Sequence, residues 1–143
     1  MRERPEVLFL CVHNAGRSQM AAAFARELGG SHVVVHSAGS APGEKLNPAV
    51  VEVMKEKGID ISSEAPRKLT DEMGLNSEVI VTMGCGDACP VYPGKRYVDW
   101  DLMDPAGKDV DQVRQIRDDI ERRVRNLLAE LLKSTSDDEG RND

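Results

Sequence analysis

A thiol and a guanidinium group lie six positions apart near the N-terminus, at Cys11 and Arg17. A short apolar run precedes them and a helical pattern follows, so the turn between them should point backbone N–H groups inward at the positive end of a helix. Such donors bind a tetrahedral oxyanion, and the planar guanidinium can grip two of its oxygens. The anion-binding loop predicted in this way consists of Val12, His13, Asn14, Ala15, Gly16, Arg17 and Ser18.

The same helix field acts on the sulfur of Cys11. Negative charge is stabilised at a helix N-terminus, which favours thiolate over thiol, so we expect a nucleophile at neutral pH. Ser18 is placed to donate a hydrogen bond to that thiolate. The alternative is an ordinary buried cysteine beside a surface arginine, but the strand before the motif and the helix after it favour the nucleophile. We interpret His13 as a solvated or backbone-bonded loop residue, because the sequence offers it no carboxylate partner.

Two further thiols, Cys85 and Cys89, stand in a glycine-rich loop that follows an apolar run. The chain has three cysteines, and this odd number indicates thiols kept for chemistry rather than for structural disulfides. Two other interpretations stay open: zinc ligands, or loop thiols with no role. No second pair of cysteines or histidines at ligand spacing completes a set of four, so we expect no metal site.

A carboxyl group precedes a proline at Asp104-Pro105. Proline biases the residue before it toward an extended backbone, which can hold the Asp104 carboxyl at the mouth of a site. A simple turn aspartate is the alternative, because Asp-Pro is a common turn pair. The residues by themselves leave both interpretations open.

Alternating strands and helices must position these groups. Apolar runs predict strands, and apolar residues at helical spacing predict helices. Strands are predicted at 7–12, 32–36, 79–83 and 97–98, and helices at 18–28, 48–58, 70–73 and 110–132. Each parallel return needs a crossover, so this order predicts a single α/β domain with a small parallel sheet covered by helices on both faces.

Length and charge narrow the classes of function. The chain has 143 residues, which suits one domain, and its net charge of −6 disfavours nucleic acid or an anionic membrane as the main partner. No apolar run approaches the ~20 residues that cross a bilayer, and we see no secretory signal, so we expect a cytoplasmic protein. Residues 134–143 hold four acidic residues against one arginine and nothing apolar. We predict a domain at 1–133 and a disordered acidic tail at 134–143.

The segment 7–20 resembles the active-site loop of the low-molecular-weight tyrosine phosphatase superfamily. The run Cys11-x5-Arg17-Ser18-Gln19-Met20 resembles in particular the arsenate reductase branch of that superfamily. The likeness continues in the same order, over roughly residues 6–132, through 37–39, the helix after Asn47-Pro48, 81–83, Trp100 and 104–107. It implies a four-stranded parallel sheet flanked by helices, and it makes Asp104 the general acid that protonates the departing oxygen.

In arsenate reductases of this superfamily, loop cysteines take part in a thiol relay. The resemblance implies that Cys11 attacks arsenic, that a second thiol attacks Cys11 and releases arsenite, and that a third thiol resolves the disulfide. Cys85 and Cys89 would supply these thiols, with electrons from thioredoxin and no bound cofactor. Their short spacing looks more like that of actinobacterial reductases, in which mycothiol joins the arsenate and a mycoredoxin releases arsenite. Ala22 stands where thioredoxin-coupled relatives often carry a glutamate of a potassium site, so the resemblance does not extend to that site.

Two other functions could use the same residues. A low-molecular-weight phosphatase would use Cys11, Arg17 and Asp104 but hydrolyse a phosphoenzyme with water. Phosphatases of this superfamily usually carry aromatic residues after the Asp-Pro pair, whereas Ala106 follows here. A non-catalytic arsenite sensor would bind the metalloid through three thiols, but no DNA-binding segment or basic helix supports it. We therefore predict an arsenate reductase that takes arsenate and a thiol reductant as partners, with a monomer favoured.

Overall fold

The computed structural model describes residues 4–84 and 91–141, with residues 133–141 described as backbone only. The strands in this part of the chain are β1 (Glu6–Cys11), β2 (Val34–Gly39), β3 (Val79–Thr82) and β4 (Arg96–Asp99). The helices are α1 (Arg17–Gly29), α2 (Pro48–Lys55), α3 (Asp71–Asn76) and α4 (Val110–Arg141), and a 3-10 turn covers Gly30–His32. The strands form one parallel sheet in the order β2-β1-β3-β4.

Strand β1 lies inside the sheet and is covered on both faces. Its residues from Val7 to Leu10 are completely buried, as expected for a continuous apolar run in a parallel sheet. Successive side chains of a strand point to opposite faces, so Val7 and Phe9 join one hydrophobic core and Leu8 and Leu10 join the other. The predicted α/β domain, with a parallel sheet between helices, is confirmed.

Helices α1, α2 and α4 pack together on one face of the sheet. The apolar residues of α4 recur at helical spacing and form the stripe that faces its neighbours. This stripe consists of Val113, Ile116, Ile120, Val124, Leu127, Leu128 and Leu131. On the same face the ring centroids of Phe9 and Trp100 lie 5.9 Å apart. Helix α3 covers the opposite face, where Met73 packs on the second core.

The second strand lies later in the chain than its valines predict. The apolar pattern predicts a strand at 32–36, whereas β2 spans Val34–Gly39 and a 3-10 turn precedes it. The parallel register between the two strands continues to the end of β1, where Cys11 pairs with Gly39. Pairing with the neighbouring strand, rather than local apolarity, therefore sets where β2 ends. This register brings Gly39 beside the predicted nucleophile.

Helix α4 continues to Arg141, beyond residue 132 where its apolar stripe ends. Residues 134–141, predicted to be disordered, are therefore helical in the structure. Once earlier turns are formed and packed, each added residue contributes one backbone hydrogen bond without a new nucleation step. The division into a domain at 1–133 and an acidic tail at 134–143 stays a prediction. Within the described ranges, no helix combines the length and the apolarity needed to span a membrane.

Candidate active site

Strand β1 marks the point where the crossovers of the sheet change direction, because β2 lies on one side of it and β3 on the other. In open parallel sheets, a crevice forms at the carboxyl ends of the strands at such a point, and ligands bind there. Cys11 is the last residue of β1, and α1 begins at Arg17. The topology therefore places the predicted nucleophile and the predicted anion grip at one crevice.

The sulfur of Cys11 receives two polar contacts, although the residue is only 2% exposed. The hydroxyl oxygen of Ser18 lies 2.8 Å from Sγ. The backbone N–H of Asn14 donates to the same sulfur over 3.3 Å. Hydrogen bonds from such donors stabilise a negatively charged sulfur more than a neutral thiol. Ser18 thus stands where the spacing of the motif places it, within hydrogen-bond distance of the sulfur.

Asn14 connects the loop to its surroundings. Its φ is 52°, in the left-handed region that asparagine tolerates better than most residues. Its Nδ2 donates to Ser18 Oγ over 2.7 Å, and its Oδ1 accepts the backbone N–H of Arg67 at 2.8 Å. The sequence predicts Asn14 only as one member of the anion-binding loop. In the structure it also links the sulfur, the Ser18 hydroxyl and the segment around Arg67.

Gly16 precedes helix α1 as its N-cap residue, and no side chain caps the helix there. The backbone N–H groups of Arg17 and Ser18 have no protein acceptor in the part of the chain that the structure describes. Unpaired N–H groups at a helix N-terminus are suited to binding an anion. A β-carbon on Gly16 would lie 2.8 Å from Cγ of Pro105. Glycine at this position therefore lets the segment that carries Asp104 approach the loop closely.

Arg17 and Asp104 are far apart in the sequence but lie close together at the same crevice. Arg17 is 8% exposed, and its Nη1 donates to the backbone oxygen of Leu102 over 3.2 Å. Its Nη2 lies 3.7 Å from Oδ2 of Asp104. The Asp104 side chain is 51% exposed, and its Oδ1 accepts the backbone N–H of Ala106 at 3.0 Å. The carboxyl is thus oriented at the mouth of the crevice, in the position expected from Asp-Pro.

A cavity of about 210 Å³ contains the sulfur and both charged groups. It is lined by Cys11, His13, Ala15, Gly16, Arg17, Gly43, Asn47, Asp104, Pro105 and Ala106. Pockets for drug-sized ligands begin at roughly 300 Å³, so this volume suits a small oxyanion better. These lining residues include no Phe, Tyr or Trp. His13 is exposed here, as expected for a solvated loop histidine.

Three members of the predicted loop do not line the cavity, namely Val12, Asn14 and Ser18. Asn14 and Ser18 are completely buried and turn toward the sulfur. The backbone oxygen of Val12 accepts the N–H of Ala41 at 2.9 Å. These residues therefore hold the loop through buried contacts and do not line the cavity.

Cys85 and Cys89 lie outside the described residues, so their predicted role stays a prediction. The structure describes the residues on either side of their loop. Gly84 has a φ of +79° and lies against the Arg17 guanidinium. Tyr92 is buried, and its hydroxyl donates to Asp71 Oδ1 over 3.0 Å. Burial and this contact raise the pKa of Tyr92.

Among the described residues, no group of three or more His, Cys, Asp or Glu could hold a metal ion.

Two residues outside the predicted loop also support it, and sequence reasoning assigned neither a role. A β-carbon on Gly39 would lie 2.5 Å from the backbone oxygen of Val12, so glycine is needed where β2 passes the loop. Gln19 is buried and its Nε2 donates to Asn14 Oδ1 over 3.0 Å. A polar residue on the buried side of a helix is a signal that could have identified Gln19. Gly39 gives no such signal until the strand register is known.

A parallel α/β sheet with a cysteine and an arginine at the crevice beside its first strand is a combination that can be compared with known protein families. The chain belongs to the low molecular weight phosphotyrosine protein phosphatase family, which matches residues 6–137. This match confirms the resemblance that the loop and the Asp-Pro pair indicate.

Several relatives of this chain are named arsenate reductases. The chain is 41% identical to a putative arsenate reductase of Halobacterium salinarum over 129 residues, which cover 86% of this chain and 90% of that protein. It is 45% identical to the solved thioredoxin-dependent arsenate reductase of Corynebacterium glutamicum, with a TM-score of 0.81. That match covers 92% of this chain but 64% of the Corynebacterium chain. A solved arginine phosphatase of Geobacillus stearothermophilus also matches, with 25% identity, a TM-score of 0.81 and coverage of 93% and 96%.

Proposed function

We propose that this chain reduces arsenate to arsenite through a covalent thiol-arsenate adduct at Cys11. The observation that carries the proposal is the convergence of the sulfur, the Arg17 guanidinium and the Asp104 carboxyl on one small cavity. Relatives that are named arsenate reductases, at 33 to 45% identity, support arsenate reduction as the activity. The adduct and the residues that form it are our inference from the geometry.

The first step is a displacement at arsenic. The Cys11 thiolate attacks the arsenic atom and forms a sulfur–arsenic bond. One arsenic–oxygen bond breaks, and Asp104 donates the proton with which that oxygen leaves as water. Arg17 and the backbone N–H groups at the start of α1 hold the remaining oxygens, and Ser18 stabilises the sulfur. Arsenic is still pentavalent after this step.

The second step transfers two electrons. In the internal relay, a second thiolate attacks the Cys11 sulfur, a disulfide forms, and the sulfur–arsenic bonding pair stays on arsenic, which leaves as trivalent arsenite. Cys85 and Cys89 would act here, and thioredoxin would return the two electrons to the disulfide. In the external route, mycothiol acts rather than Cys85: its thiolate attacks the arsenic, a new sulfur–arsenic bond forms, and Cys11 leaves as a thiolate. A mycoredoxin thiolate then attacks the mycothiol sulfur, a mixed disulfide forms, and the sulfur–arsenic bonding pair stays on arsenic, which leaves as arsenite.

The comparisons support an external thiol reductant without selecting one. One structural relative is described as thioredoxin-dependent, and a Synechocystis relative is described as a glutaredoxin arsenate reductase at 33% identity. Neither route uses a bound cofactor or metal. We further propose a monomer, since each group in these steps other than the external thiol comes from one chain. We propose a cytoplasmic location because that compartment keeps thiols reduced.

A phosphatase is the second candidate, because the cavity does not discriminate phosphate from arsenate by shape or charge. The match to a solved arginine phosphatase favours this possibility. A phosphotyrosine ring would find little to stack on, since the lining residues include no Phe, Tyr or Trp and Ala106 follows the Asp-Pro pair. The surroundings of the cavity thus favour a substrate without an aromatic group.

Arsenite release by the purified protein separates these functions. We would measure it with thioredoxin and its reductase, then with mycothiol and mycoredoxin, alongside hydrolysis of an aryl phosphate. We expect arsenite release with at least one reductant and slow aryl phosphate hydrolysis. Rapid hydrolysis without arsenite release would assign the chain to the phosphatases, and neither activity would overturn both candidates.

A further inference from the structure

The Gln19 side chain makes a set of contacts that helix packing does not require. It lies in the first turn of α1 and is 2% exposed. Its Nε2 has two hydrogens to donate and lies within hydrogen-bond distance of three carbonyl oxygens: Asn14 O at 3.2 Å, Asn14 Oδ1 at 3.0 Å and Ala65 O at 3.2 Å. The opposite orientation of the amide would face an oxygen toward three acceptors, so these contacts determine which way the amide points.

The other end of the same amide is unpaired. Gln19 Oε1 is buried and has no hydrogen-bond partner among the described residues. A buried acceptor without a partner is destabilising, and a methionine of similar length would fill the same volume without that cost. The benefit of glutamine at this position must therefore come from its NH2 group.

The hydrogen bonds that start at this NH2 group run in one direction to the sulfur. Asn14 Oδ1 accepts from Gln19 and from the backbone N–H of Arg67, so the Asn14 amide nitrogen faces Ser18. That nitrogen donates to Ser18 Oγ over 2.7 Å. Because Ser18 Oγ already accepts this bond, its own hydrogen is free to point at Cys11 Sγ, 2.8 Å away.

We propose that Gln19 is a positioning residue: it sets the direction of the hydrogen bonds that make Ser18 a donor to the Cys11 thiolate. Gln19 does not line the cavity and acts through Asn14 and Ser18. The same contacts hold Asn14 in its left-handed conformation, which brings its backbone N–H to the sulfur. The inference deepens the proposed function, because it concerns the nucleophile on which that function rests.

Alkylation of Cys11 by iodoacetamide tests this inference without arsenate. The rate would be measured from pH 6 to pH 9, with mass spectrometry to locate the modified cysteine. In Gln19→Met the NH2 donor is absent, and we expect Cys11 to react about tenfold more slowly at neutral pH, as for a thiolate fraction lowered tenfold. Gln115→Met is the matched control, since Gln115 is exposed on α4 and its side chain has no hydrogen bond among the described residues. It should react as the unmodified protein does.

Gln19→Glu provides a second variant with a different pH dependence. Burial beside three carbonyl oxygens disfavours the ionised form of this carboxyl. The protonated form can donate to Asn14 Oδ1, whereas the ionised form cannot. We expect Cys11 in this variant to react nearly normally at pH 6 and to fall progressively behind the unmodified protein as the pH rises. A merely structural role for Gln19 would not produce this divergence.

The outcomes separate this inference from the proposed function. Unchanged alkylation in a folded Gln19→Met would overturn the inference. If that variant does not fold, a Gln19→Glu rate that tracks the unmodified protein at every pH would overturn it instead. A failure of the unmodified protein to release arsenite would contradict the proposed function and leave the alkylation results intact.

Discussion

Gly84 leaves the space that the Arg17 guanidinium occupies. A β-carbon built on Gly84 would lie 2.6 Å from Nη1 of Arg17, closer than such atoms approach in proteins. Gly84 ends the described segment after β3, directly before the loop that carries Cys85. The residue that directly precedes Cys85 therefore lies beside the proposed anion grip.

Gly84→Ala should displace the guanidinium and weaken arsenate binding. Gly94→Ala is a matched control, because Gly94 has a φ of +81° but nothing within 4 Å of its added β-carbon. Both variants force a side chain into the left-handed region and should lose about 1–2 kcal/mol of stability. We expect only Gly84→Ala to raise the KM for arsenate, by roughly tenfold, the effect of losing about 1.4 kcal/mol of binding. Equal KM values for the two variants would show that the contact with Arg17 is unimportant.

Arg17→Lys should lose most of the activity while the protein stays folded. An ammonium group cannot hold two oxygens of a planar or tetrahedral anion in the way a guanidinium does. We expect kcat/KM for arsenate to fall about a hundredfold, the effect of losing one oxyanion contact. Arg26→Lys, at the exposed end of the same helix, is the control and should be fully active. Activity of Arg17→Lys close to that of the control would contradict the proposed role.

Cys85→Ser and Cys89→Ser distinguish the two electron routes. With thioredoxin as reductant, the internal relay requires both thiols, so each variant should lose multiple turnover. With mycothiol and mycoredoxin, the external route needs neither thiol, so both variants should keep their rate. Arsenite release would be followed with each reductant. Full activity of both variants with thioredoxin would exclude the relay, and inactivity with mycothiol would exclude the external route.

Glu56 lies far from the active site, and its carboxylate should make the free energy of unfolding depend on pH. Hydrogen bonds from Arg114 and Arg117 lower the pKa of Glu56 from 4.5 to about 2. Because the pKa of Glu56 is lower in the folded state, the ionised carboxylate stabilises the fold fully above the ordinary pKa of 4.5. This stabilisation is lost as the pH falls toward 2. Glu56→Gln should therefore lower the unfolding temperature at pH 7, and the difference from the unmodified protein should shrink between pH 4.5 and pH 2.

Glu27→Gln serves as the control for thermal unfolding across that pH range. Glu27 is exposed on α1, and its side chain has no ion pair or hydrogen bond among the described residues. Its substitution should leave the unfolding temperature nearly unchanged at every pH. A Glu56→Gln effect that does not vary with pH would contradict the assignment of the stabilisation to the ionised carboxylate.

The sequence predicts those parts of the molecule that depend on local pattern. The apolar run of β1, the stripe of α4 and the spacing of Cys11 and Arg17 each carry their signal within a few residues, and the parallel α/β domain follows from their order. The extent of β2 does not follow in this way, because pairing with β1 places its end at Gly39.

The residues that support the site depend on contacts between distant segments. Asn14 receives a hydrogen bond from the backbone of Arg67, and Arg17 fits against Gly84. No spacing rule joins these pairs, since the sheet order brings them together only after folding. The sequence therefore predicts which side chains could do the chemistry, while the structure is needed to show what holds them in place.

The central claim is that the Cys11 sulfur forms the bond to arsenic, and arsenite release by Cys11→Ser tests it most directly. Serine is nearly the same size, so we expect the unfolding temperature to stay within a few degrees of its normal value. Arsenite release should fall below about a thousandth of the normal rate with either reductant, because the hydroxyl is not ionised at neutral pH. A folded Cys11→Ser that still releases arsenite at an appreciable rate would contradict covalent catalysis by this residue.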